Sequence, residues 1–467
     1  MLLVPLACVP TDPPIVGNDD TTAEPPGLDT GDPMVGTTTS ETGEPTTTGT
    51  ETGTSTTDES TSTPMPPPVC GNGFPEGDEP CDDGNDDPDD GCNAVCERTG
   101  VPIWTQSYDS GAKQDDIATS IAVDADGNYY VGGTIEGADN FSDGVARKLA
   151  PDGTELLQFV YAGAMGFDDG AAAIAVGDDG RVYLGGYEEL TAEGQFRAYL
   201  AKFSTGGEIE WTYTRESPYL DGSSNILAVA VRGDTIYSVG SEEVTDEAYE
   251  VHIHRHDPSG GSIVWTVTVP DAAGFNRHGA AIEPGGDLIV ATALRLGPDD
   301  TPVPVVARYS IVDGAEIWQK TYGGGALGAA RGLAINAAGE LAINGYLQTQ
   351  AGHFDIWTAR LDPDGATVWE ASYDRNLADD YGYAVGWSSS GQIYSAGLVF
   401  DGAQQSNAWV RRYEADGAPY WTSLYNDPVD LYDEVQGVAV TDSQVVVAGN
   451  ENVLQMGINQ WIRAYEP

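Results

Sequence analysis

Between residue 100 and the end of the chain one unit of about 52 residues recurs seven times, and this period governs everything else. An apolar stretch, a turn and a second stretch ending in Gly appear as Ile121-Ala-Val-Asp-Ala-Asp-Gly-Asn-Tyr-Tyr-Val-Gly-Gly133 and again as Ile174-Ala-Val-Gly-Asp-Asp-Gly-Arg-Val-Tyr-Leu-Gly-Gly186. Further copies centre on Val231, Ile282, Ile335, Trp387 and Val440, with no helical periodicity between them. Each unit has a second half, such as Trp357-Thr-Ala-Arg-Leu-Asp-Pro-Asp-Gly-Ala-Thr-Val-Trp-Glu-Ala-Ser-Tyr373, that alternates apolar and polar residues around an Asp-Gly turn. Four short strands per unit make a propeller blade, so the expected fold is all-β, a seven-bladed β-propeller over residues 100–467.

The ends of the array predict how the ring closes. A Trp follows a turn Gly by four positions at Trp211, Trp265, Trp318, Trp369 and Trp421, whereas the last unit stops at Pro467 before reaching one. Gly100 and Trp104 have the missing spacing, and Tyr108 follows as Tyr322, Tyr373 and Tyr425 follow their tryptophans. Residues 101–108 are therefore expected to form the outer strand of blade seven, which leaves no open seam. The first unit has Leu157 at this position. A Trp recurring in register in the other six blades reads as packing between blades and not as a ligand platform.

The region before the repeats differs in composition. The chain carries 74 acidic and 20 basic residues, a net charge of −54, and residues 1–100 hold a single basic residue, Arg98. Such a surface repels phosphate backbones and anionic lipid, which argues against a nucleic-acid partner. Met1–Cys8 reads MLLVPLAC, similar to the end of a bacterial lipoprotein signal, so Cys8 is the expected lipid anchor and the only link to a membrane. Residues 9–69 are rich in Thr, Ser, Pro and Gly, and are read as a disordered tether.

Cys70, Cys81, Cys92 and Cys96 lie within 27 residues, so residues 70–98 are expected to hold two disulfides in an oxidising compartment. Zinc is the alternative, although the paired C-x-x-C spacing of zinc knuckles is missing. Asp82, Asp83, Asn85, Asp87, Asp89 and Asp90 offer oxygen ligands for Ca2+, but Pro88 and Ala94 break the EF-hand pattern. The segment CGNGFPEGDEPCDDGNDDPDDGCNAVCE resembles the cysteine-rich repeat of myxobacterial surface proteins, which implies an extracellular, disulfide-stapled module. The array itself resembles bacterial surface β-propeller repeats of the delta-60-like and SBBP-like kinds, and its Gly-x-x-x-Trp step resembles quinoprotein blades. That likeness speaks to fold, since propellers host many functions.

Two constellations are candidates for a site. Asp115-Asp116, Asp168-Asp169 and Asp379-Asp380 precede the first strands of their blades, with Asp433 in blade seven. Arg277, His278 and Arg331 stand near the corresponding point of the other blades. Around one mouth of the central channel they would form an acidic arc facing a basic one, able to hold a cation or a ligand of separated charges. The alternative role is structural, with each Asp accepting backbone N–H groups at a turn. His252, His254 and His256 share one face of a strand and are candidate transition-metal ligands, although a straight strand spaces them about 6–7 Å apart. An exposed strand face is the other reading.

No nucleophile elbow, P-loop, Rossmann fingerprint or zincin motif is present. The functional expectation is a lipid-anchored protein of the outer membrane or cell surface that displays a propeller to an extracellular protein or carbohydrate, without catalysis. The alternative is an extracellular polysaccharide lyase or hydrolase with its site at the channel mouth.

Overall fold

The computed structural model describes residues 70–467 apart from residues 78, 86, 112–114, 138–140, 192–193, 220–221, 246–247, 273–277, 284, 298–300, 401–405, 427–431 and 454–456. Cys8, the tether and Arg277 lie outside the described residues. Among those described, twenty-eight strands follow one another in chain order, β1 to β28, and build seven blades around a channel.

Blade one shows the plan. β2 (Ile117–Val123) lies innermost, followed outward by β3 (Tyr129–Glu136), β4 (Ser142–Leu149) and β5 (Glu155–Tyr161), each antiparallel to the last. The innermost strands of the remaining blades are β6 (Asp169–Val176), β10 (Ser224–Arg232), β14 (Gly279–Ile282), β18 (Gly328–Ile335), β22 (Asp380–Trp387) and β26 (Asp433–Val440). Each touches the innermost strand of the next blade, and β26 touches β2, so the ring is closed.

Closure uses both ends of the chain, as the spacing predicts. Blade seven consists of β26, β27 (Val445–Val453), β28 (Gly457–Tyr465) and β1 (Pro102–Tyr108), with Trp104 opposite Ala464 and Tyr108 opposite Gln460. The recurring Gly-x-x-x-Trp step has a physical cause. Trp104, Trp211, Trp265 and Trp369 donate their indole N–H groups to backbone carbonyls in the turn of the following blade, at 2.9–3.1 Å. The turn glycine of that blade rests on the ring face. A Cβ on Gly365 would meet Trp318 at 2.9 Å, and one on Gly100 would meet Trp421 at 3.1 Å. Gly100 thus closes the ring with the same lock that joins the interior blades.

The glycine within the second strand of every blade but the fourth is explained by a close backbone approach. A Cβ on Gly133 would lie 1.8 Å from the Ile117 carbonyl oxygen, where β2 shifts register against β3. Blade four departs from this pattern. Thr292 of β15 (Leu288–Arg295) stands where Gly is expected, and β14 pairs with β15 over only four residues, without a register shift. Blades three and four also join into one eight-stranded sheet through Ala272 opposite Leu294.

The module before the ring is stapled by Cys70–Cys96 and Cys81–Cys92, with Cα separations of 5.6 and 5.9 Å. All four thiols are consumed, which replaces the zinc alternative. The module and the segment after it pack on blades seven and six: Arg463 of blade seven pairs with Asp89 at 3.1 Å, and the Thr422 N–H of blade six donates to the Arg98 carbonyl. Two disulfides fit an oxidising compartment, and among the described residues no helix is long and apolar enough to cross a membrane.

Candidate functional site

The central channel is built from the middle residues of all seven innermost strands and encloses about 160 Å³. Its wall is mostly small or aliphatic: Ala172, Ala173 and Ile174 come from blade two and Ala228 and Val229 from blade three. Small side chains are needed here because seven strands converge. The polar exceptions include Thr119, His278, Arg331, Tyr383 and Gln436.

His278 occupies the room that the short β14 leaves in blade four. Its Nε2 pairs with Ser241 Oγ at 2.9 Å and its Nδ1 with Thr292 Oγ1 at 2.8 Å, and burial lowers its pKa to about 3. The ring is therefore neutral at physiological pH, held by two hydroxyls. Arg331 is 3% exposed, with its guanidinium 4.9 Å from the ring centres of both Tyr346 and Tyr383. Among the described residues that line the channel it is the one full charge.

The aspartates take a different place. Asp116, Asp169, Asp380 and Asp433 are at most 1% exposed and do not line the channel. Each sits at the start of an innermost strand, and three of them share one pattern of acceptance. Asp116 accepts N–H groups from Ser110 and Glu136, and Asp380 accepts them from Arg375 at 2.5 Å and Phe400 at 3.1 Å. Asp169 accepts the Gly163 N–H. Burial raises Asp169 and Asp380 to about 7, against the pull of these backbone donors.

The preceding residue in each pair reaches the neighbouring blade. Asp115 accepts the Ile458 N–H of blade seven, Asp168 that of Ser142 in blade one, and Asp379 that of Phe354 in blade five, at 2.8–2.9 Å. In blade three Ser223 and Ser224 hold the same positions and accept the N–H groups of Phe196 and Ala198. The carboxylate pairs are thus clamps within and between blades. The structure does not bring the aspartates together with His278 and Arg331 around one opening.

His252, His254 and His256 lie on β12 (Ala248–His256) with successive ring centroids 6.0 Å apart. The expected exposed face is instead buried, with these residues 6%, 3% and 1% exposed. The reason is architectural, since blades stack face to face and both faces of a middle strand are covered. Thr266 and Thr268 of β13 (Ile263–Ala272) pair with Nδ1 of His254 and His252, and Ser238 with Nε2 of His256. Burial lowers all three, to about 4, 3 and 4 in chain order. Their spacing keeps the three rings from converging on one point.

In the disulfide module the Asp82 carboxylate accepts N–H groups from Asn72, Gly73 and Gly84, while Asp87 accepts that of Asp89. These oxygens shape turns. A further cluster escaped the sequence reading: His353, Asp355 and Asp374 in blade five present ligand atoms that all lie within 4.8 Å of one another. No spacing motif announces it, because Asp374 comes from the far end of the next strand.

Comparison with known proteins identifies the small module. Residues 62–97 match the model of a domain of unknown function, DUF4215. No curated protein matches the chain. Among solved structures, the quinohemoprotein alcohol dehydrogenase ADHIIG of Pseudomonas putida HK5 is 12% identical with a TM-score of 0.44, over 78% of this chain and 76% of that one. The quinohemoprotein alcohol dehydrogenase of Comamonas testosteroni is 11% identical with a TM-score of 0.44, over 76% and 68%. The periplasmic gluconolactonase PpgL of Pseudomonas aeruginosa is 13% identical with a TM-score of 0.42, over 66% and 84%. At these values the likenesses carry no argument about activity.

Proposed function

We propose that this chain is a non-catalytic binding protein of the cell exterior, lipid-anchored at Cys8, that presents its propeller to an extracellular protein or carbohydrate. The observation that supports this most is the make-up of the channel wall. Its small and aliphatic side chains surround one fixed positive charge, Arg331, and one neutral imidazole, His278. A lyase or hydrolase working there would need a titrating acid and base facing the channel. The carboxylates that could serve are buried on backbone N–H groups. What remains suits recognition of an anionic group entering the channel, because a low-dielectric wall strengthens the field of Arg331.

The test is thermal unfolding of the full chain with glucuronate, galacturonate, glucose and an acidic peptide. A ligand that binds only the folded state raises the midpoint. A rise with the carboxylated members alone, lost in Arg331→Gln and kept in Arg331→Lys, is the expected result. No rise with any of them, or an equal rise with glucose, overturns the reading.

A further inference from the structure

We propose that His353, Asp355 and Asp374 form a binding site for a divalent first-row transition ion, Zn2+ or Mn2+, on blade five. The site stands apart from the channel and does not depend on the reading given for it. His353 ends the turn before β20 (Phe354–Leu361), Asp355 is the second residue of that strand, and Asp374 follows β21 (Thr367–Tyr373). Ile356 pairs with Tyr373, so Asp355 and Asp374 stand side by side at the end of the ladder. The Leu377 N–H donates to Asp374 Oδ1 at 2.9 Å and fixes that carboxylate.

Two observations point to a cation site. The first is local. His353 Nδ1 lies 3.0 Å from Asp355 Oδ1, yet neither atom has a hydrogen bond of acceptable geometry, and both are closed to solvent. Two ligands bound to one ion at about 2.0–2.2 Å stand about 3 Å apart, so the spacing suits a shared metal.

The second observation comes from the repeat. The register places Arg197 and Glu216 of blade two where blade five has Asp355 and Asp374, because Ala198 pairs with Arg215 as Ile356 pairs with Tyr373. Arg197 reaches Glu216 at 3.4 Å, so blade two supplies its own cation. Blade six has Asn407 and Asn426 at the same positions and places no charge there. Blade five sets two acids face to face and adds an imidazole.

The donor set selects the ion. Imidazole disfavours Ca2+ and Mg2+, which take oxygen, and the absence of thiolate disfavours Cu(I). Three protein ligands leave coordination positions for water or for a group from a partner.

The full chain, stripped with chelator, would be titrated with Mn2+ by electron paramagnetic resonance and with Zn2+ by calorimetry. One ion per chain is expected. Affinity should fall by at least about tenfold in His353→Gln, Asp355→Asn and Asp374→Asn, and stay unchanged in Asp152→Asn, an exposed acid of blade one. Asp374 is exposed, so its variant keeps the fold and separates lost binding from lost structure. Failure of both ions to bind at one per chain, or full affinity in His353→Gln and Asp374→Asn, overturns the site and leaves a His–Asp ion pair.

Discussion

Blades one, two and six and blade three solve one problem with different chemistry. At the start of the innermost strand, backbone N–H groups from the same blade and from its neighbour need acceptors. Blades one, two and six use Asp115-Asp116, Asp168-Asp169 and Asp379-Asp380, whereas in blade three the hydroxyls of Ser223 and Ser224 both accept from the neighbouring blade, at Phe196 and Ala198. Blade four gives up the regular innermost strand and fills the space with His278, clasped between Ser241 and Thr292. A carboxylate accepts more hydrogen bonds than a hydroxyl but loses more hydration on burial. Geometry is therefore conserved around the ring while its electrostatic cost is not.

The largest effect should fall on the outer-strand Trp that every blade but the first carries, and it calibrates the comparison. Trp211 and Trp421 are 9% and 5% exposed, and replacing either with Ala should cost about 3–5 kcal/mol in denaturant unfolding. A loss below about 1 kcal/mol at Trp421 would mean that the seam is not locked as the interior is.

Next comes the contrast between clamps. Asp116→Ala leaves the Ser110 and Glu136 N–H groups without their acceptor and puts nothing in the place of a buried carboxylate, at about 2–3 kcal/mol in total. Ser224→Ala deprives the Ala198 N–H and should cost about 1–3 kcal/mol in total. Equal losses in the two variants would erase the distinction between carboxylate and hydroxyl.

The smallest effect is the most specific, because pH should act on the two arcs with opposite sign. Asp169 and Asp380 rise from 3.8 to about 7 on folding, so their contribution is fully present below about pH 4 and is lost as pH climbs through 7. His252, His254, His256 and His278 fall from 6.5 to between about 3 and 4, so theirs is present above 6.5 and is lost as pH falls. Moving from pH 7 to pH 5 should increase hydrogen-exchange protection near β6 and β22 and reduce it near β12 and β14, after correction for intrinsic rates. A uniform change around the ring would refute this.

Much of the architecture was legible because a repeat states its constraints seven times. The 52-residue step, the Trp four residues after Gly, and the split of that pair between Gly100-Trp104 and the truncated last unit all follow from one close contact between neighbouring blades. Side-chain direction was harder to read. Asp116 and Thr119 are three residues apart, yet one turns into the blade and the other lines the channel, and only the register shift after Ala118 separates them. The histidine strand misled because alternation signals exposure only where one sheet face meets water, and β12 is covered on both. The cluster of His353, Asp355 and Asp374 had no signature because pairing between β20 and β21, and not spacing, unites it.

Closing the ring with the first strand also decides how the molecule carries load. A pull on the chain before Cys70 passes through the Cys70–Cys96 bond directly to the segment ahead of β1, so residues 71–95 are bypassed and cannot act as slack. It then meets the Arg98 carbonyl held by the Thr422 N–H and the Arg98 side chain over Tyr420 before the first rung of β1. The weakest mechanical element of a closed ring, the edge strand that could peel, is the one behind a covalent strain relief.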